Sequence, residues 1–294
     1  MPTLLLLSAA TWAAAPGAPG VSVPLHALAA PCQDARYPAL AGPWAVGCGK
    51  TGEVDRAISL QSGERIALPP SISPGLGPGV VYAPEVGRID LSAPAAAKAS
   101  RFERNRLSNR TAPPAVSSAG IAVIKDNSVH SLVHGEKVIR SITSDAPPLG
   151  YQPPAISGEQ VAWVVNTPSE GTDIWVAPLG GGTAQPLAGG PGNQHHVQGE
   201  PGWLAWIEPE GVVILNTQTG DKQTHPAATG FSAGLTLYNG VACWETRTGD
   251  DVDIECSDGV QVQQPGHQQY PSRWDRWLLY RDAGVPTLRV LATP

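Results

Sequence analysis

Charge is scarce in this chain. Charged residues fill 15% of its 294 positions, against roughly 25% in ordinary soluble domains. There is no basic block either, and the net charge is −6. A nucleic-acid footprint would need Lys and Arg clustered on one face. The nearest approach, Arg101, Arg104, Arg106 and Arg110 in "SRFERNRLSNR", reads as a solvated loop or hairpin, so no nucleic-acid partner is expected. No C-x-x-C occurs, and no His sits at ligand spacing from a Cys, which removes the usual zinc pattern. Neither a metal nor a cofactor is expected.

Glycine and proline are abundant: 33 and 30 residues. That is too much for a helical protein and suits short strands joined by turns. The hydrophobic fraction of 41% allows a real core. Arg outnumbers Lys and Ala is very common, which suits a GC-rich bacterial source.

The N-terminus, "MPTLLLLSAATWAAAPG", carries an apolar stretch from Leu4 to Ala15. It is too short for a transmembrane helix, which needs about 20 residues, and has signal-peptide length. Residues 1–14 are therefore expected to be a signal peptide, cleaved after Ala13 or Ala14, with no transmembrane helix in the mature chain. No Lys or Arg precedes the stretch, so the signal is atypical or truncated. The alternative is an ordinary apolar segment.

Four cysteines agree with export. Cys243 and Cys256 flank a hairpin centred near Gly249, and antiparallel pairing puts them opposite each other. Cys32 and Cys48 flank a second candidate hairpin. Two local disulfides in an oxidising compartment account for all four.

Seven apolar runs recur along the chain: Trp44–Gly47, Val80–Tyr82, Ile121–Ile124, Val161–Val165, Trp203–Ile207, Val241–Trp244 and Trp277–Tyr280. They are spaced by roughly 36–42 residues, close to the period of a propeller blade. Several are preceded by a Pro-led strand, as in "PAISGEQVAWVV". Each is followed by a second strand, such as "DIWVAPL", and several then show a Gly turn and a third strand. The unit is four short antiparallel strands. The seventh unit stops at "TLRVLATP" without its last strand, while "GVSVPLHALA" precedes the first. Residues about 21–29 would complete the last blade and close the ring. The expected fold is all-β: a seven-bladed β-propeller over 21–294 with four-stranded antiparallel blades, its last blade closed by an N-terminal strand. Six blades, or a stack of β-sandwiches, are the alternatives.

The chain resembles the TolB-like (WD40-like) bacterial β-propeller repeats. The best match is Pro154, Ser157, Gly158, Val161–Trp163, Asp173–Val176 and Gly180–Gly182. The family's S-P-D-G turn is absent, replaced by "SGE", "SSAG" or "GP". The domain that precedes the propeller in TolB has no counterpart, so its translocation role is not implied.

Candidate chemistry is sparse. "GFSAG" (230–234) fits a nucleophile-elbow pattern, but "LTLYNGVACW" after it is strand-like rather than helical, which points to a chance match. Asp251, Asp253 and Glu255 alternate and share one strand face, which reads as solvated rather than as a calcium loop. His195 and His196 are adjacent, so on a strand they point oppositely and would not share a metal, whereas a loop would let them do so. The remaining histidines are scattered. The Trp residues, from Trp44 to Trp277, are expected to fill space between blades.

The segments leading into the innermost strands differ most between blades. They carry Tyr beside Pro (Tyr37, Tyr151, Tyr270) and a recurrent Gln (Gln33, Gln152, Gln194, Gln268, Gln269). Phenol, amide and imidazole groups hydrogen-bond sugars or peptides without needing charge. Arg36, Tyr37, Gln152, His195, His196, Gln269 and Tyr270 are the candidate ligand-binding residues. The plainer alternative is that Tyr-Pro packs the blade start and Gln satisfies loop backbone. The expected function is a binding or interaction module, exported to the bacterial envelope or beyond, with an envelope or surface protein or a glycan as partner. The alternative is a polysaccharide lyase or hydrolase working at the axial mouth.

Overall fold

A computed structural model describes residues 22–25, 28, 32, 36–83, 86–93, 112–134, 136, 138–142, 144–167, 171–227 and 234–291. The chain is a seven-bladed β-propeller. The innermost strands are Ala39–Ala41, Gly75–Gly77, Ala115–Val116, Ala155–Ser157, His195–Glu200, Leu235–Tyr238 and Gln268–Trp274, for blades 1 to 7 in chain order. Each is joined by a tight hairpin to one of the seven apolar runs, which form the second strands. Neighbouring innermost strands touch in order around the ring, and Gln268–Trp274 returns to Ala39–Ala41. Among the described residues blade 2 has three strands, ending at Gly87–Asp90. Residues 1–21, 94–111 and 228–233, which include the expected signal peptide and most of "GFSAG", lie outside the described residues.

The ends meet as expected. Ser22–Pro24 pairs antiparallel with Val285–Val290, placing Ser22 opposite Arg289 and Pro24 opposite Thr287. The Ser22 hydroxyl lies 2.9 Å from that of Tyr280. Leu25 and Leu28 then enter the core between blades 7 and 1, against Trp277, Leu279 and Leu288.

The innermost strands of blades 1 to 4 follow directly on a proline, Pro38, Pro74, Pro114 and Pro154, and the reason is a matter of edges. An innermost strand pairs on one side only, so its other edge tolerates a residue without an N–H. Those free edges face neighbouring blades, and side chains stitch them together. Leu40 N–H donates to Ser272 Oγ at 2.8 Å, and Arg273 N–H to Thr236 Oγ1 at 3.2 Å. Where blades approach most closely, only glycine fits. A Cβ on Gly199 would sit 2.6 Å from the Ile156 carbonyl oxygen, and one on Gly77 2.7 Å from that of Val116.

The tryptophans pack between blades: Trp163, Trp206 and Trp244 are fully or almost fully buried. Along Asp251–Cys256 burial alternates, with Val252, Ile254 and Cys256 inside and the three acids on the other face. Both disulfides form. Cys243 and Cys256 are direct ladder partners with Cα atoms 4.0 Å apart. Cys32–Cys48 departs from the expected hairpin pair. Cys32 lies in the connector before blade 1 and belongs to no strand, whereas Cys48 ends the second strand. This bridge, with Cα atoms 5.3 Å apart, ties the incoming segment to blade 1.

Candidate functional site

A cavity of about 310 Å³ runs along the propeller axis. Its walls are the innermost strands, and its lining includes Pro74, Pro78, Pro114, Pro154, Pro201 and Pro271. The upper mouth lies where the innermost strands begin, the lower mouth where they end.

At the upper mouth the sequence-derived candidates separate into three groups. Arg36, Tyr37 and Tyr270 line the cavity. Tyr37 is nonetheless 4% exposed and part of the blade 1 core, with its hydroxyl donating to the Pro74 carbonyl. It packs the blade start, as the plainer alternative has it. Tyr270 is partly exposed, and the Arg281 guanidinium lies 5.7 Å from its ring centroid. Arg281 also donates to the Tyr37 carbonyl, so blades 7 and 1 share one polar cluster.

His195, His196 and Gln152 form the second group, beside the cavity. The two imidazoles meet edge to face with centroids 4.8 Å apart. His196 N–H donates to Gln152 Oε1 at 3.2 Å, linking blades 5 and 4. Burial pushes the His196 imidazole down to about 4, with His195 and the Arg36 guanidinium adding to the effect. His196 is therefore neutral at physiological pH. Burial lowers His195 as well.

His196 and Tyr270 turn out to be structural counterparts. Each has φ +54°, and each sits where the ladder between first and second strands slips by one residue. An extra residue in a bulge re-aims the side chain there. The two main-chain N–H groups are held alike: Tyr270 N–H donates to Glu245 Oε1 at 2.7 Å.

The third group does not reach the mouth wall. Gln268 is fully buried, its amide held by the Gly266 carbonyl and Asp282, while its oxygen accepts from Gln264 N–H. Gln194 is 4% exposed in its connector, and Tyr151 is 65% exposed on the surface. Gln269 pairs with Arg281 in the ladder. Gln33 and Asp34 fall outside the described residues.

The lower mouth was not singled out from sequence. There Glu200, Tyr238 and Trp274 line the cavity. The Tyr238 and Trp274 rings lie 4.8 Å apart at 56°. Glu200 Oε1 accepts from Gly240 N–H at 2.6 Å, and burial pushes its carboxyl up. The signal was positional: "LYNG" and "RWDRW" both put an aromatic immediately before the two-residue turn. Among the described residues, no three His, Cys, Asp or Glu side chains converge as a metal cluster.

Comparison with known proteins then bears on the fold. No family model matches, and no curated protein matches in sequence. Solved structures do. A chain of the mitotic checkpoint complex is 13% identical, with 93% of this chain and 92% of that one covered and a TM-score of 0.61. A chain of hydrazine synthase from Kuenenia stuttgartiensis is 14% identical over 86% and 94%, at 0.55. A putative TolB from Agrobacterium tumefaciens is 14% identical over 56% and 67%, at 0.38. At such identities the likeness is one of fold.

Proposed function

We propose that the protein is an exported binding module, of the TolB-like propeller type, that captures a partner or ligand at its upper axial mouth. What supports this reading is that Arg36 of blade 1 and Tyr270 of blade 7 line that mouth, with His196 of blade 5 near enough to Arg36 to feel its charge. A neutral imidazole, a guanidinium and a phenol over a proline-lined wall suit an envelope protein segment or a glycan, which such groups hold by hydrogen bonds and ring contacts. Export is supported by the two disulfides, which persist in oxidising compartments. One structural neighbour is part of a multiprotein complex and another belongs to an enzyme, so fold alone does not choose between them.

The test is capture from glycan arrays and envelope-protein fractions by wild type and by the Tyr270→Ala, His196→Ala double variant. Retention by wild type and its loss in a folded double variant is the expected result. Equal capture by both places the binding elsewhere.

A further inference from the structure

The last residue of each innermost strand, or in blade 3 the residue just after it, occupies one equivalent position, three residues before its partner on the second strand. Around the ring these are Ala41, Gly77, Ser117, Ser157, Glu200, Tyr238 and Trp274. Four consecutive blades, 1 to 4, place a small residue there. The three consecutive blades 5 to 7 place a carboxylate and two aromatics. Of these, Gly77, Ser117, Glu200, Tyr238 and Trp274 line the cavity, so the carboxylate and the two aromatics share its lower end with two small residues, while Ala41 and Ser157 are buried outside the lining.

The wall has one chemical character. Two aromatic faces meet at 56°, and faces of this kind attract cations through the ring quadrupole. Glu200 lies in the same cavity lining. Among the described residues no Lys or Arg pairs with it; its bonds are to main-chain N–H groups of Gly240 and Asn239. Both Glu200 and Asp275 act electrostatically on Tyr238. The cations nearby are held elsewhere. Arg273 lines the cavity and its charge is felt at Tyr238, but its guanidinium is engaged by Asp258 at 2.7 Å and by Cys243 Sγ at 3.7 Å. Arg276 stacks over Trp277 at 5.5 Å. Aromatic faces, a half-buried carboxyl without a counter-ion and the open cavity beside them together describe a receptor for a positive charge on an apolar body.

We propose that the lower mouth binds an organic ammonium group, with Trp274 and Tyr238 as its aromatic faces and Glu200 as its counter-charge. The group is a free or methylated amine carried on an apolar stem, as a small molecule or as a side chain that enters the mouth. This site is at the opposite end of the cavity from the one proposed above and does not depend on it.

The test uses choline and its neutral carbon isostere, 3,3-dimethylbutan-1-ol, titrated into the full protein and followed by NMR. The reporters are the Trp274 indole N–H, assigned by its loss in Trp274→Phe, and, for the variants that lack this indole, the choline methyl signal followed by saturation transfer. Saturable choline binding, about ten-fold tighter than the isostere, is the expected result. Glu200→Gln, which keeps an oxygen for Gly240, and Trp274→Ala should each weaken choline about ten-fold or more. Tyr270→Ala at the upper mouth should leave it unchanged. Equal affinity for choline and the isostere, or no saturation by 20 mM choline, on the order of a weak fragment, overturns the assignment. So does full retention of choline binding by both lower-mouth variants. A variant that binds poorly counts only if its NMR spectrum remains that of the folded propeller; Trp274→Phe supplies a milder version of the same change.

Discussion

At the scale of the residue, His196 has the clearest measurable signature. Its imidazole is pushed down to about 4 by burial, by His195 and by Arg36. In the unfolded chain it titrates near the ordinary histidine value of roughly 6.5. Between these values the unfolded chain binds the extra proton, so stability is complete above pH 6.5 and is lost as pH falls toward 4. His196→Asn, which tolerates the positive φ, removes this dependence. Urea unfolding at pH 6.5 and 4.5 should show wild type losing more stability than the variant, by on the order of 2 kcal/mol. Glu200, pushed up by burial, acts with the opposite sign in both proteins and drops out of the difference. A variant whose loss matches wild type would show that His196 is not held neutral. The same two residues show where sequence reading stops. His196 and Tyr270 both stand out as unusual residues near the start of an innermost strand, but their equivalence rests on a backbone slip. Nothing in "HHVQ" or "QYPS" specifies which residue takes φ +54°.

At the scale of the element, the innermost strands were legible because two constraints write themselves into sequence. One free edge admits proline, and the second strand, buried on both faces, is a continuous apolar run. The period of those runs then yields seven blades. What the pattern does not carry is which side chain meets which neighbouring blade. Gln268 and Tyr270 are two residues apart in one strand and face the same way where a strand is regular, yet Gln268 is sealed inside and Tyr270 reaches the mouth. Cys32 illustrates the same limit. Its spacing to Cys48 mimics a hairpin pair, whereas the chain between them already holds the Ala39–Ala41 strand and most of the Trp44–Cys48 strand, and Cys32 itself belongs to neither. Trp274 and Tyr238 were passed over because aromatics in a repeat are usually space-filling. The close approach of blades 4 and 5 offers a direct test. Gly199→Ala drives a Cβ into the Ile156 backbone, which cannot yield as a side chain would. A cost of about 1–3 kcal/mol is expected, read as a lower thermal midpoint. An unchanged midpoint would mean that the two strands part without loss.

At the scale of the whole molecule, the ring is closed by a strand from the other end of the chain. Removing residues 1–25 takes away Ser22–Pro24 and Leu25 and leaves Val285–Val290 as an open edge. An unpaired edge is a template for association with another chain. The truncated protein should melt several degrees lower and scatter more light on warming, while retaining the Cys32–Cys48 bridge. A truncated protein that melts and scatters like wild type would show that the six other blades suffice. The two disulfides belong to this scale as well, since each is local. Cys32–Cys48 spans 16 residues and Cys243–Cys256 spans 13. Neither ties one blade to another, so blade-to-blade cohesion rests on the lateral hydrogen bonds and the packed tryptophans.

The closing pair also has a mechanical meaning. Ser22 lies opposite Arg289, so the strands enter and leave the seam at the same end. Tension applied to the two chain ends therefore peels the seam one rung at a time instead of shearing all rungs together. A ring that thermal motion must breach cooperatively is, under load, a zipper.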